Sequence, residues 1–269
     1  MLTKGTIETT VIKKEFITPH YIRIHVTSED IYQFANSTIG DNNKILIPPE
    51  GLNEIHFPEF NDQNHQWIHP PKELAPSIRT YTHRGINLEK KELIIDFVNH
   101  GDNGPASKWA INATKGSKLG VMMRTEPTEL FAKADYYLFV GDATAIPVIS
   151  SILEALPNQA KGTCILEVHD EKDEQELQTN ADIKFIWVHN SSPELGSNLA
   201  EVTKQINFSE ESKFGYVAAE FSTVKEIRTY LRKVKSWTNK ELYAYSYWKI
   251  GISEDKSQSD RQKEKNTEY

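Results

Sequence analysis

The residues able to do chemistry are concentrated in two short stretches. Arg79-Thr80-Tyr81-Thr82-His83-Arg84 interleaves guanidinium, hydroxyl and ring groups. In an extended strand residues two apart share a face, so Arg79, Tyr81 and His83 fall on one side and Thr80, Thr82 and Arg84 on the other. Downstream, His100-Gly101-Asp102-Asn103-Gly104-Pro105-Ala106-Ser107 carries two glycines and then a proline suited to the first turn of a helix, with Ala106 and Ser107 inside that turn. A helix N-terminus leaves N–H groups without partners, and its dipole favours negative charge, which makes it an anion site. An arginine fork, a ring to stack on and a helix N-terminus together suit a ligand built of a flat ring system and a pyrophosphate. FAD answers that description.

The elements that must carry these groups differ between the two halves of the chain. The first half is β-rich. Tyr21-Ile22-Arg23-Ile24-His25-Val26 alternates with Ile22, Ile24 and Val26 inward, and Lys44–Ile47 and Leu93–Val98 are further strands. Residues 49–78 are proline-rich and without periodicity, which predicts a long irregular loop. Several strands with few helices predict a small antiparallel β-barrel over 1–127. In the second half, strands at Tyr136–Val140, Thr163–Val168, Ile183–Val188, Phe214–Ala218 and Leu242–Tyr247 alternate with helices at Ile146–Leu156, Ser197–Ile206 and Thr223–Val234. That order predicts an α/β domain with a parallel sheet over 128–251, so the whole is a two-domain α+β chain. Residues 252–269 are charged with almost no apolar side chains, and are expected to be a disordered tail.

At these motifs the chain resembles the siderophore-interacting proteins, flavin-dependent ferric-siderophore reductases of the ferredoxin-NADP reductase type. Arg79–Arg84 looks like the family's flavin strand. Asp96-Phe97-Val98-Asn99-His100-Gly101 through Gly104-Pro105-Ala106-Ser107-Lys108-Trp109-Ala110 looks like its second flavin motif. Gly141-Asp142-Ala143-Thr144-Ala145-Ile146-Pro147 is similar to the start of its nicotinamide domain, and Ala218-Ala219-Glu220 and Tyr247-Trp248-Lys249-Ile250-Gly251 match its C-terminal signatures. The resemblance implies that Arg79 meets the FAD pyrophosphate, Tyr81 stacks against the isoalloxazine or its ribityl side, and Thr82 offers a hydroxyl or N–H towards its N5 edge. It further implies that Phe97, Val98 and His100 line the ring and its side chain, with Ala106 and Ser107 at the pyrophosphate. Trp109 is expected in the core.

The same resemblance places NADH or NADPH against Gly141, Asp142, Ala143, Thr144, Ala219 and Glu220. The glycine loop follows a strand and opens a helix, the right setting for phosphates, although it lacks the Gly-x-Gly-x-x-Gly fingerprint. Asn190 stands where the family commonly carries an arginine, and Glu167 and Asp170 are acidic, which tilts the donor towards NADH or a protein such as a ferredoxin. Lys44, Arg124 and Lys249 stand where the family carries its basic cluster, and imply a site for an anionic ferric siderophore. Trp248 either shields the flavin or fills the core. The implied activity is reduction of Fe(III)-siderophore with release of Fe(II). The alternatives are a flavin reductase serving a protein partner, a flavoprotein that holds ferric siderophores without turnover, and a relic of the fold that binds no flavin.

Composition narrows the classes. A net charge of −7 over 269 residues argues against general nucleic-acid binding. The one cysteine, Cys164, lies in an apolar run and is expected as a buried thiol. His56, His65 and His69 lie among prolines with no cysteine beside them, so no metal site is expected there. Without an apolar leader or a bilayer-length apolar stretch, a cytoplasmic protein is expected, and it is expected to be a monomer.

Overall fold

Two residues, His83 and Arg84, separate a strand at one edge of the first sheet from a strand at its other edge, and that short link forces the sheet to curl. The computed structural model describes residues 4–61, 63–208 and 212–266. Its first compact unit runs to Thr128 and its second begins at Glu129. The first holds β1 (Lys4–Thr18), β2 (Tyr21–Thr27), β3 (Asn42–Ile47), β4 (Glu59–Asn61), β5 (Gln66–Ile68), β6 (Ser77–Thr82), β7 (Gly85–Asn87), β8 (Glu92–Val98), α1 (Pro105–Asn112) and β9 (Lys118–Arg124). Seven of these strands form one sheet in the order β6-β3-β9-β1-β2-β8-β7, antiparallel throughout. Its ends, β6 and β7, are consecutive in the chain, so the sheet closes towards a barrel. Ile22, Ile24 and Val26 are buried inside it together with Val121, Leu93 and Phe97. Alternation in β2 therefore reads the inward face correctly.

The second unit holds β10 (Tyr136–Asp142), α2 (Ile146–Ala155), β11 (Lys161–Val168), β12 (Asp182–His189), α3 (Leu199–Lys204), β13 (Lys213–Ala218), α4 (Phe221–Thr229), β14 (Leu242–Ala244) and α5 (Glu254–Lys265). The five strands pair in parallel in the order β12-β11-β10-β13-β14. Strand order reverses between β10 and β13, and in open α/β sheets ligands gather at the carboxyl end of that reversal.

Two expectations need correcting. The proline-rich segment is not wholly irregular: β4 and β5 pair as a hairpin, with Phe60 edge-on to Trp67 at 5.3 Å between centroids. The strongly charged tail is not a solvated coil, because 254–265 form α5. Arg261 and Glu264, which composition assigns to solvent, are buried against partners from α4 and the segment after β14. Residues 267–269 of that tail lie outside the described residues. Among the described residues no helix is long and apolar enough to cross a membrane, and no group of His, Cys, Asp and Glu side chains is placed to hold a metal.

Candidate functional site

Strand β6 brings the first stretch to the sheet edge. Its register against β3 sets Arg79 opposite Ile45, Thr80 opposite Lys44, Tyr81 opposite Asn43 and Thr82 opposite Asn42. Arg79 and Tyr81 thus share the face that bears the buried Ile45, while Thr80 and Thr82 share the face of Lys44. Arg79 is half-buried and one guanidinium N–H donates to the carbonyl of Ile78 at 2.7 Å. The Tyr81 ring is half-buried against Phe97, with centroids 4.6 Å apart, and Phe97 in turn meets Trp109 at 5.6 Å. Phe97 is wholly enclosed, so it backs Tyr81 and cannot line a ring ligand, which corrects the role expected of it. Trp109 packs against the barrel core as expected. Thr82 is buried, Val98 half-buried and His100 exposed. His83 is buried with Nε2 unpartnered among the described residues, and burial lowers its pKa to about 4, so its imidazole is neutral.

Helix α1 begins as the sequence predicts, with Pro105 at its first turn. Gly104 precedes it at φ +105°, a conformation that an L side chain adopts only under strain. No side chain caps this helix, which leaves the N–H groups of Ala106 and Ser107 to a ligand. The Ser107 hydroxyl has another duty. It donates to the carbonyl of Gly101 at 2.7 Å and accepts from the N–H of His100 at 3.1 Å, so it ties the glycine loop to the helix. The direct phosphate contact expected of that hydroxyl gives way to a positioning role. An arginine fork, a partly exposed ring and an uncapped helix start are a donor set that fits FAD.

Asp96, quoted in the motif but given no role from sequence, is a buried hub beside these groups. Its carboxylate takes two bonds of 2.7 Å from Arg23 and one of 3.1 Å from the Tyr21 hydroxyl, with Arg84 at 3.8 Å. Its spacing inside an apolar strand is the signal that could have marked it, since a buried carboxylate demands cationic partners.

In the second unit the candidate nucleotide residues stand at the strand reversal. Gly141 permits a close approach: a Cβ there would lie 2.5 Å from Ala145 Cβ and 3.0 Å from the Ala218 carbonyl. Asp142 accepts from the Thr144 N–H at 2.9 Å and from the Trp248 indole N–H at 2.7 Å. Glu220 caps α4, accepting from the N–H groups of Ser222 and Thr223. Ala219 is buried, and Ala143 lies in the short turn before α2. Asp142, Glu167 and Glu220 line one small pocket with Ala219 and Trp248, of about 10 Å³. That volume takes about one water and no diphosphate. Burial pushes the Asp142 and Glu167 carboxyls up from their usual range. The side chains of Asp142 and Glu220 therefore serve helix caps, and any nucleotide contact from these loops is made outside this pocket. Trp248 is likewise committed to Asp142.

Lys44 donates to Thr80 Oγ1 at 2.5 Å, and Arg124 lies 3.6 Å from Asp41. Lys44 faces Met122 on β9, so Arg124, two residues on, shares the face of Lys44 and Thr80. Lys249 donates to Asp260 at 2.8 Å, with its ammonium 4.6 Å from the Phe221 ring centroid.

Comparison with known proteins bears on all of this. Residues 10–126 match the family model of the siderophore-interacting FAD-binding domain, and 134–251 that of the siderophore-interacting protein. The ferric vibriobactin reductase ViuB of Vibrio cholerae serotype O1 is 31% identical over 252 residues, covering 93% of this chain and 92% of its own. The siderophore-interacting protein SipS of Aeromonas hydrophila superposes with a TM-score of 0.81 at 28% identity, covering 96% of this chain and 97% of its own. A ferredoxin NADP+ reductase from Neisseria gonorrhoeae shares the fold at a TM-score of 0.59 and 15% identity, covering 90% of this chain and 98% of its own.

Proposed function

The chain belongs to the siderophore-interacting proteins, with an FAD-binding domain of that family at its N-terminal end, and from this we propose that it is a flavin-dependent reductase of ferric siderophores. The observation that carries the reading is that the first unit holds both the Arg79–Tyr81 strand and the uncapped start of α1, in a chain similar to a ferric vibriobactin reductase. The chemistry FAD supplies when bound is the conversion of a two-electron reductant into the single electrons that Fe(III) accepts. The protein's share is to hold and orient. Arg79 and the start of α1 at Ala106 bind the pyrophosphate, with Ser107 holding the loop in place behind it, Tyr81 supports the ring from its seat on Phe97, and Thr82 offers its hydroxyl at the N5 edge.

Lys44 and Arg124, on one face of the first unit, and Lys249, in the second, are each a cation for the anionic ferric chelate. Hard oxygen donors hold Fe(III) more firmly than Fe(II), so one electron loosens the chelate and releases the iron, in the cytoplasm on this reading. The electron donor is NADH in preference to NADPH. Asn190 is spent on Glu167 and the Gly196 carbonyl, at 3.1 and 2.8 Å, and neighbouring His189 pairs with Glu174, so the end of β12 offers a 2′-phosphate carboxylates and no guanidinium. A ferredoxin-type donor is the second reading that this acidic edge favours.

Anaerobic visible spectra of the purified protein test the proposal. The flavin absorbance should bleach with NADH, less readily with NADPH, and return as a ferric siderophore is reduced. Protein that cannot be loaded with FAD, or reduced flavin that a ferric chelate fails to reoxidise, would refute it. Replacing Lys44, Arg124 and Lys249 together by alanine should weaken ferric-siderophore binding while FAD stays in place.

A further inference from the structure

Helix α5 is fastened on one face. Arg228 of α4 pairs with the Glu264 carboxylate and donates to the Glu264 carbonyl at 2.8 Å, and both side chains are buried. Arg261 donates to the carbonyls of Ser246 and Tyr247, at 3.2 and 2.8 Å. Lys265 lies over the rings of Tyr243 and Tyr245, 5.0 and 5.2 Å from their centroids. Ser257, Arg261 and Glu264 recur at helical spacing, so these anchors fix the rotation of α5 as well as its position.

That rotation delivers one carboxylate to one cation. Asp260 Oδ2 stands 2.8 Å from Lys249 Nζ, with side chains 47% and 24% exposed. Lys249 holds the Asp260 carboxyl below its usual range and Lys263 adds to this, so Asp260 is a carboxylate at neutral pH. Nothing in the fold of α5 requires this contact, since the buried anchors already hold the helix.

We propose that Asp260 is a charge latch on Lys249, a specificity-determining residue that sets how much negative charge a chelate must carry to be bound. The inference rests on the reading of Lys249 as a contact to the ferric siderophore. An ion pair this exposed is weak and exchanges readily. A chelate with several negative charges outcompetes a single carboxylate for the ammonium, whereas a neutral or cationic chelate gains nothing from displacing it.

The test uses the full-length FAD-loaded protein and redox-inert gallium(III) chelates, so that binding is read without turnover. The probes are the trianionic gallium tris-catecholate and the monocationic gallium complex of desferrioxamine B, titrated by calorimetry. Asp260→Asn should tighten binding of the trianion by up to about five-fold, the upper end of what an exposed ion pair contributes. Its salt dependence should steepen and its affinity for the cation should not rise. Asp260→Glu should behave as the parent protein. Lys249→Ala supplies the control on the premise and should weaken binding of the trianion. If Lys249→Ala weakens binding and Asp260→Asn leaves it unchanged, the latch is refuted and the site reading stands. If Lys249→Ala changes nothing, the site reading falls and the latch with it. Equal tightening of both chelates by Asp260→Asn would mean a structural opening rather than a charge effect, and would also refute the latch.

Discussion

Ser107 separates two ways in which a serine at a helix start can serve a cofactor. Its hydroxyl is fully buried and spends both its donor and one acceptor position on the loop, donating to Gly101 at 2.7 Å and accepting from His100 at 3.1 Å. Ser107→Ala removes two hydrogen bonds worth about 1 kcal/mol each net, so the apo FAD-binding unit should lose about 2 kcal/mol. For a unit of this size each kcal/mol is worth roughly 3–4 °C, which predicts a fall in melting temperature of about 6–8 °C before any FAD is added. FAD affinity should fall as well, because the N–H groups of Ala106 and Ser107 are no longer held in place by a fixed loop. The assay pairs a thermal melt of the apoprotein with a flavin-fluorescence titration. An apoprotein melt that does not move, alongside a lost FAD affinity, would refute the reasoning, since it would mean that the hydroxyl acts on the pyrophosphate directly.

Gly141→Ala drives a Cβ to 2.5 Å from Ala145 and 3.0 Å from the Ala218 carbonyl, and should destabilise the second unit by about 1–3 kcal/mol in a denaturant melt. Trp248→Phe removes a 2.7 Å donor from the buried Asp142 carboxylate and should cost about 1.5–3 kcal/mol. Burial already raises the Asp142 pKa and the Trp248 bond lowers it, so the substitution raises it further. A folded state that binds the proton more tightly than the unfolded one loses stability as pH rises through the folded pKa, so the deficit should be larger at about pH 8 than at about pH 5. Cys164 is buried, and burial pushes its thiol far above the usual value. It should react with a maleimide only as fast as the protein unfolds, and rapid labelling of the native protein would contradict that.

The fold was legible where the pattern of side chains is a direct consequence of burial. Alternation marked Ile22, Ile24 and Val26 as inward, and the strand–helix alternation after residue 128 gave the parallel sheet. The motifs also marked the start of α1 and strand β6, because Gly104-Pro105 and Arg79–Thr82 owe their form to local backbone geometry. What sequence could not give was the use of a polar atom. Ser107, Asp142, Glu220 and Trp248 have the right types for ligand contacts, yet each is engaged by a partner within the protein. Helix α5 escaped for a related reason. Its composition is that of a solvated segment, and only long-range pairs such as Arg228–Glu264 fold it. A buried ion pair between residues this distant in sequence leaves no periodic trace.

The three cations proposed to meet the siderophore come already partnered, and on that proposal this sets the energetics of chelate binding. Lys44 is bonded to Thr80, Arg124 faces Asp41 and Lys249 faces Asp260. Binding an anionic chelate is then an exchange of partners, not the filling of a vacant positive pocket. Each cation contributes only the difference between its present partner and the chelate, about 1 kcal/mol at an exposed position. The triple alanine variant should therefore lose about 2–3 kcal/mol, roughly 30- to 150-fold in affinity, and the loss should shrink as salt is raised. A loss of many thousand-fold that persists in high salt would mean that the chelate meets desolvated and unshared charges, and the exchange account would fail.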